Sequence, residues 1–190
     1  MYRKFFKRFF DVLLSGCALI LLSPVLLIVA VLVRTKLGSP VIFCQERPGK
    51  NEKIFKMYKF RSMTDARDEN GVLLPDEVRL TRLGRILRST SLDELPQLFN
   101  VLCNDMSLVG PRPLIESEIQ TYYDDTHDVL LAVKPGVTGY WQAYARNNAT
   151  YQSGERQKME MYYVRNASLW LDIKILFKTV ESVLKKSGAQ

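Results

Sequence analysis

The feature that most constrains this chain is a stretch of 22 residues without a charge near its start, from Val12 to Val33. At about 1.5 Å of rise per residue, a helix of this length is long enough to cross a hydrocarbon core of roughly 30 Å. The stretch is too long for the apolar part of a signal peptide, and no small-residue cleavage site follows it. The sequence therefore predicts a membrane anchor in residues 1–38 and a folded domain in residues 39–190.

Ser23 and Pro24 stand at the midpoint of this stretch. Proline removes a backbone donor and crowds the preceding turn, so a kink or a break is expected there. A carbonyl freed by the proline needs a partner in lipid, and the Ser23 hydroxyl is a candidate. Two structures fit: a spanning helix with a mild kink, or a helix, break and second helix that enter one leaflet and return.

The net charge of +7 is concentrated around the anchor. Residues 1–60 hold 11 Lys and Arg and 3 acidic residues, whereas residues 61–190 hold 16 and 17. The basic residues flanking the apolar stretch are Arg3, Lys4, Lys7 and Arg8 before it, and Arg34 and Lys36 after it. Because a basic flank normally stays in the cytoplasm, two basic flanks predict a re-entrant helix with both ends cytoplasmic.

Other residue counts disfavour several classes of function. A nucleic-acid-binding protein usually carries a basic stripe across its folded domain, and residues 61–190 have no net positive charge. The single histidine, His127, disfavours a His-rich metal site or a Ser-His-Asp triad. Three cysteines are an odd number, which disfavours a disulfide framework and fits a reducing compartment.

The remainder of the chain predicts an α/β domain, mostly helical with a short β-hairpin. Strands are predicted at 41–44 and 54–63, joined by a turn at 46–50. Helices are predicted at 77–88, 155–165 and 169–184. The last helix has an apolar stripe with Trp170 and Phe177 beside it, which suits either the protein core or the membrane interface.

Two adjacent carboxylates, Asp93 and Glu94, are the candidate centre of chemistry. Acids in the first turn of a helix also compensate its dipole, so a structural role is an alternative. Cationic side chains near them in the sequence favour a site: Lys59, Arg61, Arg85, Arg88 and Arg112. Neighbouring acids and cations suit a phosphoryl group and a divalent metal, usually Mg²⁺.

Arg112 lies between two prolines, Pro111 and Pro113, which restrict the backbone on both sides of its guanidinium. Arginine is suited to bidentate binding of phosphate. The sequence has neither a Gly-x-Gly-x-x-Gly motif nor a Walker A lysine motif. We therefore expect side chains, and not a glycine-rich loop, to bind any phosphate.

Five sequence blocks together resemble one protein family over nearly the whole chain. They are Lys-Phe-Arg-Ser-Met at 59–63, Thr-Arg-Leu-Gly-Arg-Ile-Leu-Arg at 81–88, Ser-Leu-Asp-Glu-Leu-Pro-Gln at 91–97, Met-Ser-Leu-Val-Gly-Pro-Arg-Pro at 106–113 and Lys-Pro-Gly-Val-Thr-Gly at 134–139. The family is the monotopic phosphoglycosyl transferases, or bacterial sugar transferases. A chain of catalytic domain and anchor alone is similar to the small Campylobacter-type members, which use UDP-N,N′-diacetylbacillosamine in protein N-glycosylation.

The resemblance implies transfer of a sugar 1-phosphate from a UDP-sugar to undecaprenyl phosphate, with release of UMP. Asp93 matches the nucleophile, which forms a covalent phosphosugar intermediate, and Glu94 matches its partner acid. Magnesium is implied at this pair, and the Ser23–Pro24 break matches a re-entrant helix. The implied location is the cytoplasmic face of the bacterial inner membrane, with downstream glycosyltransferases as further partners.

Two departures from the family pattern lie away from this chemistry. Asn104 stands where the family often has Gly, and the hairpin at 48–53 lacks a second Gly that is common there. Asparagine tolerates the left-handed backbone conformation, so we expect the turn at Asn104 to survive.

A mechanism can be written for these residues as a hypothesis. A carboxylate is already an anion, so Asp93 needs no base to act as a nucleophile. Magnesium would offset its repulsion from a diphosphate, and the phosphate clamps would be Lys59, Arg88 and Arg112 with Pro111. For Arg61 and Arg85, internal ion pairing is an alternative role. The rival functions are a membrane-surface scaffold without catalysis and a bitopic signalling protein.

Overall fold

A computed structural model of the chain describes residues 2, 6–123, 126–145 and 149–184. Two predicted features fall partly outside these residues. They are the basic N-terminal flank, with Arg3 and Lys4, and the folded domain predicted for 39–190, with residues 124–125, 146–148 and 185–190.

The apolar stretch forms one helix, α1, over Lys7–Lys36. Among the described residues, α1 is the one helix that is long and apolar enough to cross a membrane, judged by length and composition. Helical structure extends on both sides of Pro24, which lies inside α1. Pro24 has no N–H to donate to the carbonyl of Ile20, and the Ser23 hydroxyl donates to it instead at 2.8 Å. The predicted partner for a freed carbonyl is confirmed.

The N-terminal end of α1 is bonded to the folded domain. The Arg8 guanidinium donates to the carbonyl of Val101 at 2.5 Å. The buried Asp11 carboxylate accepts from the Ser107 hydroxyl at 2.7 Å and from the Leu108 N–H at 3.0 Å. These bonds fix the start of the anchor to the protein interior.

The C-terminal end of α1 packs against the same domain. Val29, Val33 and Leu37 are buried in an apolar cluster with Phe60 and Leu87. Between the two ends the helix is open, and Ile20 and Leu21 are each 78% exposed. The helix therefore has two attached ends and an exposed apolar middle.

The predicted hairpin is present with shifted boundaries. Strand β1 covers Ile42–Pro48, strand β2 covers Ile54–Phe60, and the two pair antiparallel. Positions 46–48, predicted as turn, belong to β1 because Pro48 pairs with Ile54 at the end of the ladder. The turn itself is a 3₁₀ helix at Lys50–Glu52.

The single helix predicted at 77–88 is wrong, because two helices lie there. They are α2 at Asp76–Arg79 and α3 at Arg82–Ser89. Leu80 between them is extended and bridges Met63. The Thr81 hydroxyl then caps α3 by accepting from the Gly84 N–H at 3.1 Å. Tertiary pairing and a cap thus interrupt a continuous helical pattern.

Short elements surround a second small sheet that the sequence analysis missed. Strand β3 covers Ser107–Val109, strand β4 covers Gly136–Thr138, and they pair in parallel. The short helices are α4 at Gln97–Leu102, α5 at Glu116–Tyr122, α6 at His127–Leu131 and α7 at Tyr140–Tyr144. Small sheets among many helices agree with the predicted α/β class.

The two predicted C-terminal helices are confirmed as α8, Glu155–Asn166, and α9, Leu169–Leu184. In α9, Ile175 is fully buried, whereas Trp170 and Phe177 are 65% and 75% exposed. Helix α9 therefore uses one side for the core and leaves an aromatic side open. This arrangement favours the membrane-interface alternative for that side.

Gly84 should be essential for the packing of α3. A Cβ atom placed there would lie 1.8 Å from the carbonyl oxygen of Ser62, so Gly84→Ala must push α3 away from this segment. We expect a loss of about 1–3 kcal/mol of unfolding free energy, measured by denaturation in detergent. The control is Gly16→Ala, whose Cβ meets nothing within 4 Å. Equal stability of the two variants would contradict the packing argument.

The buried Glu160 should make stability depend on pH. Its carboxylate accepts from the Arg112 N–H at 3.2 Å, and burial raises its pKa to about 7. The folded state therefore holds this proton more tightly than the unfolded state, and stability is lost as pH rises from about 5 to about 8. Glu160→Gln should reduce that loss in thermal unfolding, whereas Glu155→Gln, exposed on the same helix, should not. An unchanged pH profile in Glu160→Gln would exclude this role.

Candidate active site

Asp93 and Glu94 lie in a 3₁₀ turn, Leu92–Glu94, between α3 and α4. The turn begins after Ser91, which has a left-handed backbone with φ of 56°. The sequence suggested that the two acids occupy the first turn of a helix. In the structure they precede α4. Asp93 is buried and Glu94 is half-buried.

Lys59 brings a positive charge from β2 to this turn. Its Nζ atom lies 2.7 Å from Oε1 of Glu94, and both side chains are mostly shielded from solvent. The strand is held on both sides of Lys59, since Met57 and Phe60 are buried in apolar clusters. The ammonium group is therefore fixed in place by packing of its own strand.

Arg88 supplies a second positive charge from the last turn of α3. Its Nε atom donates to the hydroxyl of the buried Ser62 at 3.0 Å. Burial, together with the charge of Glu94, raises the pKa of Asp93 to about 6, and the cations Lys59 and Arg88 act in the opposite direction. The charges of the two acids therefore interact with those of two predicted cations, Lys59 and Arg88.

Arg112 follows an unusually close contact between Gly110, just after β3, and Gly136, the first residue of β4. A Cβ on Gly110 would lie 2.6 Å from the Gly136 nitrogen, so a side chain there does not fit. The Gly136 N–H donates to the carbonyl of Pro111 at 2.8 Å. Arg112 and Lys59 line the same small cavity, which Glu94 also lines. The close approach of Gly110 and Gly136 thus places the Pro-Arg-Pro segment beside the cavity that Glu94 lines.

Arg61 and Arg85 are held in other contacts. Arg61 is buried, donates to the carbonyls of Ser39 and Met63 at 2.6 and 2.9 Å, and pairs with Asp65 at 2.5 Å. These bonds correspond to the internal ion-pair role that was its alternative. Arg85 is exposed on α3 and donates to the carbonyl of Leu80 at 3.3 Å.

Three polar residues that line this cavity were not predicted from the sequence. They are Arg47, Gln97 and Gln142, which line it together with Lys59, Glu94 and Arg112. Gln97 had a local signal, because it ends the Ser-Leu-Asp-Glu-Leu-Pro-Gln block four residues after Asp93. Arg47 and Gln142 come from a strand and a helix that are distant in the sequence, and only the fold brings them there.

Chemically, this arrangement can receive a phosphate-bearing ligand. Lys59 and Arg88 act on the charge of Asp93, and Arg112 lines the same cavity as Glu94. Two glutamine side chains in that lining add neutral hydrogen-bonding groups. Adjacent carboxylates offer the hard oxygen donors that Mg²⁺ prefers. The residues present therefore fit a magnesium ion at Asp93 and Glu94.

Comparison with known proteins gives matches along nearly the whole chain. The family model described as bacterial sugar transferase matches residues 2–186. An uncharacterized sugar transferase of Bacillus subtilis, EpsL, is 47% identical, over 97% of this chain and 90% of its own length. An undecaprenyl-phosphate galactose phosphotransferase of Salmonella typhimurium is 43% identical, over 98% of this chain and 42% of its own length.

A third relative is the UDP-N-acetylgalactosamine-undecaprenyl-phosphate N-acetylgalactosaminephosphotransferase of Aeromonas hydrophila. It is 39% identical, over 98% of this chain and 45% of its own length. The chain thus spans less than half the length of the Salmonella and Aeromonas relatives and most of the Bacillus relative. From these matches, the chain belongs to the bacterial sugar transferase family.

Proposed function

We propose that this protein transfers a sugar 1-phosphate from a UDP-sugar to undecaprenyl phosphate and releases UMP. The observation that carries the proposal is the grouping of Asp93 and Glu94 with Lys59, Arg88 and Arg112. The names of the Salmonella and Aeromonas relatives support the lipid acceptor, and the Aeromonas name supports a UDP-sugar donor.

In the proposed first step, a carboxylate oxygen of Asp93 attacks the sugar-bearing phosphorus of the donor. The bond from that phosphorus to the bridging oxygen breaks, UMP leaves with the electron pair, and the phosphosugar remains on Asp93. A pKa of about 6 leaves Asp93 largely ionised at neutral pH, so the nucleophile needs no separate base. Burial of Asp93 keeps competing water away from the new bond.

In the proposed second step, a phosphate oxygen of undecaprenyl phosphate attacks the same phosphorus. The bond to Asp93 breaks, the carboxylate is restored, and the sugar is left on a lipid diphosphate. Lys59 and Arg88 favour the ionised form of Asp93 and so stabilise the carboxylate that is released. Arg112 adds a further positive charge to the lining of the neighbouring cavity. Positive groups fixed in advance stabilise the charge of a phosphoryl transition state at no reorganisation cost.

We also propose that Asp93 and Glu94 hold Mg²⁺. Bound there, the ion would neutralise diphosphate charge and reduce the repulsion between donor and nucleophile. The like charge of Glu94 contributes to the raised pKa of Asp93, and a nearby cation relieves repulsion of this kind. The Lys59 contact on Oε1 of Glu94 orients that carboxylate beside Asp93.

For the anchor, we propose a re-entrant path with both ends on the cytoplasmic face of the bacterial inner membrane. A straight spanning helix would place its two ends on opposite sides of about 30 Å of hydrocarbon. Here Arg8 and Asp11 at one end and Val33 and Leu37 at the other contact the same domain. The exposed middle around Leu21 is then the part available to enter the leaflet.

For the donor, we propose a UDP-sugar with an N-acetylated sugar. The Aeromonas name, with its N-acetylgalactosamine, supports this class of sugar. UDP-N,N′-diacetylbacillosamine stays a prediction from the resemblance to the small Campylobacter-type members. It belongs in the same assay panel as UDP-N-acetylgalactosamine, UDP-galactose and UDP-glucose.

Asp93→Asn should lower UMP release by roughly 10³-fold or more, because the amide cannot serve as the nucleophile. The assay is UMP release in detergent with undecaprenyl phosphate and the panel of UDP-sugars. Incubation with a donor labelled in the sugar phosphate should label the wild-type chain and leave Asp93→Asn unlabelled. Asp76→Asn, an exposed aspartate with a 71% accessible side chain, is the control and should retain turnover.

Normal turnover in Asp93→Asn would remove Asp93 as the nucleophile. Wild-type protein that releases no UMP with any donor would instead support the alternative of a membrane-surface scaffold. Magnesium dependence is measured in the same assay by adding a chelator and restoring the ion.

The re-entrant anchor predicts equal labelling of both ends of α1. Single cysteines at Phe9 and at Lys36, both exposed, report the two ends in a chain with its native cysteines replaced. Native Cys44, exposed in β1 and left as the only cysteine, reports the domain. With a membrane-impermeant maleimide, all three should react only after the cells are opened. Labelling of Phe9→Cys in intact cells would show a spanning helix.

A further inference from the structure

A second cavity adjoins the proposed site on the side of the anchor. It is a groove between α1, α9 and the segment that carries the acids, with a volume of about 280 Å³. Its lining includes Leu22 of α1, Leu98 of α4 and Val183 of α9. One end of the groove reaches Glu94, so it meets the cavity of Lys59 and Arg112 at a shared carboxylate.

The wall of this groove offers mainly apolar contact. Where α9 and β4 meet, the Thr138 and Thr179 hydroxyls are 2.7 Å apart, and Thr179 also donates to the carbonyl of Ile175 at 2.8 Å. These hydroxyls therefore bond to the protein itself. A sugar or a nucleoside would bury polar groups against Leu98 and Val183, at a cost in free energy.

The two cavities thus differ in chemistry, and Glu94 lies where they meet. The small cavity that is lined by Arg47, Lys59 and Arg112 offers three cations, which attract an anionic group. The groove is apolar and reaches Leu22, next to the exposed Leu21 in the middle of α1. An amphipathic ligand matches these two surfaces, with its anionic head beside the cations Lys59 and Arg112 and its apolar chain along the groove toward α1.

We propose that the groove binds the first isoprene units of the polyprenyl phosphate acceptor, with its phosphate at the carboxylate pair. This inference rests on the proposed function and adds the acceptor-binding residues Leu22, Leu98 and Val183. A volume of about 280 Å³ lies near the lower limit of roughly 300 Å³ for ligand pockets, so the groove holds only the part of the chain nearest the head. The rest of the lipid stays in the membrane.

Val183→Trp tests this proposal because the larger side chain fills the groove and keeps α9 apolar. Val183 is 40% exposed, so the protein interior does not have to expand to accept the change. The KM for undecaprenyl phosphate should rise roughly tenfold, because this is the effect expected when a small apolar contact with the ligand is lost. The KM for the UDP-sugar and the covalent labelling by donor alone should stay at wild-type values.

The matched control is Val180→Trp, one turn earlier on α9, where the valine is 58% exposed and lies outside the groove. It adds the same indole to the helix and should leave the KM of the acceptor within about twofold of wild type. Donor labelling of Val183→Trp shows that the variant is folded and that the nucleophile works. Loss of labelling, a raised KM for the donor, or an unchanged KM for the acceptor would each overturn the groove assignment.

A failure of the proposed function gives a different result. In that case the wild-type protein itself would take no label from a UDP-sugar and release no UMP. If the wild type is active and Val183→Trp and Val180→Trp impair acceptor use equally, the effect belongs to the membrane-facing side of α9 and the groove proposal is wrong.

Discussion

Repulsion between two adjacent carboxylates, one buried and one half-buried, is the constraint around which this domain is organised. Asp93 and Glu94 are brought close by a 3₁₀ turn, and each supporting element contributes to offsetting their charge. Strand β2 positions Lys59, helix α3 positions Arg88, and the loop after β3 positions Arg112. The same elements also share apolar clusters, in which Phe60 of β2 packs with Leu87 of α3, so the cations stand on elements that are held in place by packing.

Much of this site could be predicted from the sequence because its signals are local. The acidic pair, Arg88 and the Pro-Arg-Pro segment are each contained in a few consecutive residues. The unpredicted parts depend on contacts between distant segments. Leu80 leaves the helical pattern to pair with Met63, and strands β3 and β4 are three residues long and rely on the approach of Gly110 to Gly136. Periodicity carries no information about such contacts.

Helix α1 of the anchor carries one prediction that is confirmed and one that stays a prediction. The missing N–H of Pro24 correctly indicated that the Ser23 hydroxyl would donate to the freed carbonyl, which is that of Ile20. The same chemistry predicts a kink or a break at Pro24, which lies inside the helix Lys7–Lys36, and a re-entrant bend at that residue stays a prediction. Arg61 was similarly ambiguous, since a guanidinium in a basic block suits a phosphate and an internal carboxylate equally. Its bonds to Ser39 and Asp65 depend on how the chain leaves the anchor, which the sequence does not reveal.

The Asp11 carboxylate connects the anchor to the catalytic half of the molecule, because it accepts from Ser107 and Leu108 in β3. The strand that leads to Arg112 thus has part of its hydrogen bonding supplied from inside the anchor. A water-soluble version made by cutting away the first helix would leave the Ser107 hydroxyl and the Leu108 amide without this partner. Engineering such a fragment would require a new acceptor at that position, and a generic membrane tether in place of α1 would not provide one.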